Sequence, residues 1–126
     1  MTAIISFIGW HDSGTTTLAA GVVAHLQRKG LRVAVIKSSE KSGISFDMPG
    51  TGAAEVMLMA PDQMALLAAP KDLSLTTLAH RYFGDADIVI GEGFREARQV
   101  AKIEVVTDTE QQLRREVSGV VAVATE

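Results

Sequence analysis

The chain has no cysteine, which excludes disulfides, thiolate metal sites and cysteine catalysis together. Aromatic residues are only 5% of the composition against 47% hydrophobic residues, so the core has to be built mainly from Ala, Val, Leu and Ile. That composition suits a parallel sheet buried on both faces, whose strands are continuous apolar runs. The net charge of -3 offers no electrostatic ground for a nucleic-acid or anionic-membrane partner, and neither is expected. The N-terminal apolar run is short and has no basic leader, so it reads as neither a signal peptide nor a membrane span. Repeats, linkers and low-complexity tails are also missing. What remains as the expectation is one cytoplasmic domain covering residues 1–126.

One further absence is local. Gly9-Trp10-His11-Asp12-Ser13-Gly14-Thr15-Thr16 has both glycines and the final threonine of a phosphate-binding loop, but Thr15 stands where the pattern has lysine. The strand-like run Ala3–Ile8 leads into it, and a helix-like stretch from Thr16 to Lys29 leaves it, with Leu18, Val22, Val23 and Leu26 at helical spacing. Lys29-Gly30 supplies a helix stop.

Strand and helix patterns then alternate along the chain, which predicts a three-layer α/β fold with a mostly parallel sheet flanked by helices. Arg32–Ile36 reads as a strand with Lys37 at its carboxyl end, and residues 38–52 form a long, small-residue, glycine-rich loop. Glu55–Met59 and Met64–Ala69 are short apolar runs on either side of the turn residues Pro61-Asp62, with Met57, Met59 and Met64 read as core filling. Ser74–Phe83 reads as a helix with Leu75, Leu78 and Tyr82 on one side. The strand Asp87–Ile90 runs into Gly91-Glu92-Gly93-Phe94. The strand Ile103–Val106, a polar helix Thr109–Glu116 and the strand Gly119–Ala124 follow. Ligand contacts in such sheets gather at strand carboxyl ends. Because the sequence stops just after a strand, a shortened nucleotide domain, or one completed by something else, is expected.

The candidate site follows from this layout. Gly9 to Thr16 would hold phosphates through main-chain N–H groups, which survive any side-chain change. Thr16 occupies the hydroxyl position next to Mg²⁺, its plainer role being a helix cap. Loss of the lysine removes a charge-assisted hydrogen bond of about 1.5–3 kcal/mol, or about one to two powers of ten in affinity. Phosphoryl transfer loses more, since it depends on charge stabilisation in the transition state. Lys37 is the first candidate for a replacement cation, with Lys41 and Arg95 as further options. Glu92, at a strand end between two glycines, could hold the Mg²⁺ hydration shell or orient water, and Asp47 could also face the metal. Asp87 lies at the wrong strand end and reads as structural, and His25 and His80 read as surface or boundary residues.

The residues also resemble a family. Phe7-Ile8-Gly9, Arg32 to Lys37, Phe46-Asp47-Met48-Pro49-Gly50, Gly52-Ala53-Ala54, Pro61-Asp62-Gln63, Glu92-Gly93-Phe94, Lys102-Ile103-Glu104-Val105 and Val121 to Thr125 occur in the order found in MobB-type molybdopterin-guanine dinucleotide biosynthesis adaptor proteins of the P-loop NTPases. The resemblance implies a GTP-binding homodimer with feeble hydrolysis that assists the partner guanylyltransferase joining GMP to molybdopterin. It implies that Gly9 to Thr16 is the phosphate site, that Glu92 is its acidic partner and that Asp47 lies in a closing loop. The chain departs from the family at Thr15, at Ser38-Ser39-Glu40 where a histidine-containing stretch is usual, in a short segment after Gly50, and in its early C-terminus. Two alternatives therefore stand beside the GTP-binding adaptor. One is an interaction module that has lost its nucleotide. The other is an ATP-dependent enzyme on a small acid, similar to the dethiobiotin-synthetase relatives, which also end their second strand in lysine.

Overall fold

The structure is a computed structural model and describes residues 2–10, 14–39, 55–69, 74–106, 114 and 116–125. The chain divides into two compact units, one formed by Met1–Ser39 with Ser74–Glu126 and the other by Glu40–Leu73.

In the larger unit, strand β1 (Ala3–Gly9) is followed by helix α1 (Thr15–Arg28) and strand β2 (Val33–Lys37). After the smaller unit come helix α2 (Leu75–Phe83) and strands β5 (Ile88–Glu92), β6 (Ala101–Val106) and β7 (Val120–Thr125). These strands form one five-stranded sheet in the order β2-β5-β1-β6-β7, with every pair parallel. The fold is thus the α/β class the alternating pattern predicts. Each boundary lies within two residues of its sequence-based position, the largest shifts being at β5, which ends at Glu92 instead of Ile90, and β6, which starts at Ala101 instead of Ile103.

Side chains alternate across the sheet, so each face has its own cover. On one face Phe7, Ile90 and Val105 pack with Ala19 of α1, and Leu18, Val22, Val23 and Leu26 lie against this cluster. All four apolar positions expected on α1 therefore point to the core. On the other face Leu75 and Ala79 of α2 are buried. Gly91 in β5 makes room there: an added Cβ would come within 2.6 Å of Leu75 Cδ2. Of the residues read on one side of α2, Leu75 is buried with Ala79 while Tyr82 is half exposed. The strands at the sheet edges are less covered, with Val35 of β2 and Val121 and Val123 of β7 exposed.

The smaller unit is an antiparallel hairpin of β3 (Val56–Met59) and β4 (Met64–Leu67), closed by the Ala60 N–H donating to the Gln63 carbonyl at 2.8 Å across Pro61-Asp62. Its methionines correct the sequence reading. Met57, Met59 and Met64 are 51%, 71% and 57% exposed and fill no core, because a two-stranded hairpin has no second layer of its own. The glycine-rich loop after Ser39 and the polar helix expected at Thr109–Glu116 fall outside the described residues, apart from Arg114 and Glu116. Among the described residues no helix is long and apolar enough to cross a membrane.

Candidate nucleotide site at the carboxyl edge of the sheet

The parallel register brings three strand ends to one edge, with Phe7 and Lys37 both paired to Glu92. The two-residue period then puts Lys37 and Glu92 on the same face as Phe7 and Ile90, which is the face α1 covers. The edge is tied down by backbone: the Ser38 N–H donates to the Glu92 carbonyl at 2.9 Å and the Gly93 N–H to the Phe7 carbonyl at 3.0 Å. The Ser6 hydroxyl donates to the Gly93 carbonyl at 2.7 Å. Gly93 has φ +96° and passes close to Ser38, so glycine is required there.

Helix α1 starts at the same edge. Its N-cap is Gly14 in the left-handed region at φ 89°, with no side-chain cap, and its carbonyl accepts from the Leu18 N–H at 3.0 Å. Gly14 is therefore present for its backbone conformation, since an added Cβ would meet nothing within 4 Å. Gly9 closes β1 without a positive φ. Thr16 is not the cap. Its hydroxyl donates to Glu92 Oε1 and accepts from Lys37 Nζ at 3.5 Å, and Lys37 Nζ lies 3.7 Å from Glu92 Oε1. Threonine, lysine and glutamate from three separate elements thus form one closed cluster. The Glu92 side chain is 11% exposed and that of Lys37 60%, so the carboxylate is held in place and the ammonium reaches it from solvent.

These donors suit a hard cation. A hydroxyl and a carboxylate oxygen in contact, with phosphate oxygens to follow, form the sparse set that Mg²⁺ takes in phosphate sites. Among the described residues there is no group of three or more His, Cys, Asp or Glu that would hold a metal by itself. His11, Asp12, Ser13, Lys41 and Asp47 lie outside the described residues.

Two features here had no sequence signal. The Arg95 guanidinium lies over the Trp10 ring, 5.4 Å from its centroid, so a further cation candidate and the second loop residue meet by stacking. A mostly apolar groove of about 520 Å³ starts at Gly14 and follows α1 past Leu18 and Val22 to His25, against Val105 and Ala124. The sheet order puts this groove on β6 and β7, and Lys37 on the other side of β1.

A second lysine and glutamate lie away from the edge. On β6, Lys102 and Glu104 are 1% and 0% exposed and share the face opposite α1. Lys102 Nζ donates to the Ser118 carbonyl at 2.7 Å. Glu104 Oε1 accepts from the Arg114 guanidinium at 3.1 Å and from its backbone N–H at 3.3 Å. Burial holds the Lys102 ammonium below the usual lysine range, and the Glu96 carboxylate partly opposes this. Asp87 Oδ2 accepts from the Arg32 N–H at 2.7 Å and so is structural, as expected.

A parallel sheet with a glycine-headed helix springing from its first strand, and with threonine, lysine and glutamate gathered at the helix start, defines an α/β protein of the phosphate-loop type. The family model described as "Molybdopterin guanine dinucleotide synthesis protein B" (MobB) matches residues 4–126. The molybdopterin-guanine dinucleotide biosynthesis adapter protein of Haemophilus influenzae is 31% identical over 102 residues, covering 74% of this chain and 57% of the relative. A crystal structure of molybdopterin-guanine biosynthesis protein B superposes with a TM-score of 0.77 at 31% identity, covering 97% of this chain and 82% of that one. The MobB homologue of Bacillus stearothermophilus gives the same TM-score at 22% identity, covering 97% of this chain and 77% of that one, and shares the fold. The chain belongs to the MobB family, named for molybdopterin guanine dinucleotide synthesis. It spans little more than half the length of the Haemophilus relative.

Proposed function

We propose that this chain is a nucleotide-binding accessory protein in molybdopterin guanine dinucleotide synthesis that holds GTP with little or no hydrolysis. The observation that carries this reading is the contact of Thr16, Lys37 and Glu92 at the head of α1. A nucleotide has an anionic end and an apolar end. The cation-bearing edge at Lys37 and the apolar groove beginning at Gly14 lie on opposite sides of β1, which supports a nucleotide laid across the loop. Gly9 to Thr16 would bind the phosphates through backbone N–H groups and the start of α1. Mg²⁺, if bound, would be held by Thr16 and Glu92, with Asp47 as a further ligand, and would neutralise phosphate charge. Thr15 leaves the loop without its own cation, which weakens binding modestly and turnover severely. ATP is the alternative nucleotide.

The homodimer implied by the family finds support in the exposed methionines and leucines of the β3–β4 hairpin, since a two-stranded hairpin is marginally stable alone. A molybdopterin guanylyltransferase is the proposed partner and the cytoplasm the proposed compartment. Calorimetric titration with GTP and Mg²⁺ tests the reading: saturable heat is expected, and silence at millimolar GTP sinks it. Thr15 specifically favours the competing reading of an interaction module without nucleotide. That alternative fails if the unaltered protein binds GTP or ATP at micromolar levels. Lys37, at the end of β2, keeps the small-acid enzyme in view, and phosphate release from ATP with candidate acids would reveal it.

A further inference from the structure

Lys37 engages both oxygens that would take a metal. The Thr16 hydroxyl donates its proton to Glu92 and accepts from the Lys37 ammonium at 3.5 Å. The same ammonium lies 3.7 Å from Glu92 Oε1. A divalent ion bound by the Thr16 hydroxyl and Glu92 Oε1 would lie beside the ammonium that contacts both atoms, so the two positive charges would compete for the same oxygens. The sheet sets this competition, because Lys37 and Glu92 are register partners on neighbouring strands and face the same side.

We propose that the Lys37 ammonium is a resident cation beside the metal position, competing with Mg²⁺ for Thr16 and Glu92, so that polyphosphate binds with little dependence on divalent metal. The idea rests on the nucleotide reading above for its consequence, but the competition itself exists without nucleotide. An ammonium on a four-carbon stem supplies positive charge beside the phosphates and cannot supply a metal's coordination geometry. Binding is thereby kept in part while in-line phosphoryl transfer loses the ion that neutralises its developing charge. Lys37 is 60% exposed, so its ammonium stays open to a phosphate oxygen while it lies beside Glu92.

The test has two arms. Mn²⁺ is titrated into nucleotide-free protein and followed by electron paramagnetic resonance, comparing wild type, Lys37→Met and Lys37→Met/Glu92→Gln. The single variant is expected to gain a Mn²⁺ site that the wild type and the double variant lack. Equal Mn²⁺ binding by wild type and Lys37→Met overturns the proposal. In the second arm GTP affinity is measured with Mg²⁺ and with EDTA. Wild type is expected to change by less than about threefold, whereas Lys37→Met falls about tenfold or more in EDTA and recovers with Mg²⁺. An equal loss in both buffers overturns the proposal, because Lys37 would then be a phosphate contact only. Lys37→Arg retains a cation and should keep the metal independence, and circular dichroism verifies that each variant is folded. Absence of GTP binding in every variant would defeat the nucleotide reading, while the Mn²⁺ arm still decides the role of Lys37.

Discussion

The protein uses lysine and glutamate twice, to opposite ends. At the carboxyl edge, Lys37 reaches Glu92 from solvent at 3.7 Å and shares a threonine hydroxyl with it. On the far face of β6, Lys102 and Glu104 are buried and each is fixed to the segment before β7, through Ser118 and Arg114. The Lys37 ammonium is 60% exposed and can change partners at small cost, while the Glu92 carboxylate, 11% exposed, stays in place. The buried Glu104 cannot change partners, because losing Arg114 leaves a desolvated charge. The first pair is thus suited to receive a ligand and the second to fasten a chain segment to the sheet.

The sharpest way to break this contrast is Arg114→Ala. It strips the guanidinium from buried Glu104 and should cost about 3 kcal/mol in urea unfolding, with GTP affinity unchanged. A smaller change, confined to the other pair's surroundings, is expected from Thr15→Lys. Restoring the loop cation should tighten GTP binding by about one to two powers of ten, or about 1.5–3 kcal/mol, as read by calorimetry. Lys37→Met should weaken GTP about tenfold in EDTA and shift the melting temperature little, reversing the pattern of Arg114→Ala.

The smallest effect belongs to Lys102→Met, which exchanges a buried ammonium for an apolar side chain of similar length and should alter stability at neutral pH by less than about 1 kcal/mol. Its signature is in the pH dependence. The folded value of Lys102 is depressed, so the unfolded chain holds more protons between that value and about pH 10.4, and wild-type stability gains from this group as pH rises through that window. Unfolding curves taken toward alkaline pH should rise less steeply for the variant.

Much of the fold was legible because continuous apolar strands and a four-residue helical stripe leave few arrangements open. Leu18, Val22, Val23 and Leu26 all pack inward as their spacing requires. The methionines were misread because apolar composition does not reveal whether a second layer exists to cover it, and the β3–β4 hairpin has none within its own two strands. Lys102 and Glu104 were legible only as a family element. Alternation with Ile103 and Val105 marks a change of face, and only the contacts with Ser118 and Arg114 make the second face a buried one. At the site, Lys37 and Glu92 were readable from their strand-end positions. Their meeting with Thr16 was not, since it depends on β2 pairing with β5 and not with β1, a choice of strand order that no local pattern encodes. Trp10 and Arg95 are too far apart in sequence for their stacking to be foreseen.

Trp10 is the single tryptophan of the chain and lies directly after Gly9 in the loop, so its fluorescence reports on the site without any label. Titrating the wild-type protein with GTP should change Trp10 emission saturably, because a polyphosphate beside Gly9 brings negative charge close to the indole and to the Arg95 guanidinium stacked on it. An emission spectrum that stays constant up to millimolar GTP, in a protein whose Thr15→Lys variant does respond, would contradict nucleotide binding by the lysine-less loop.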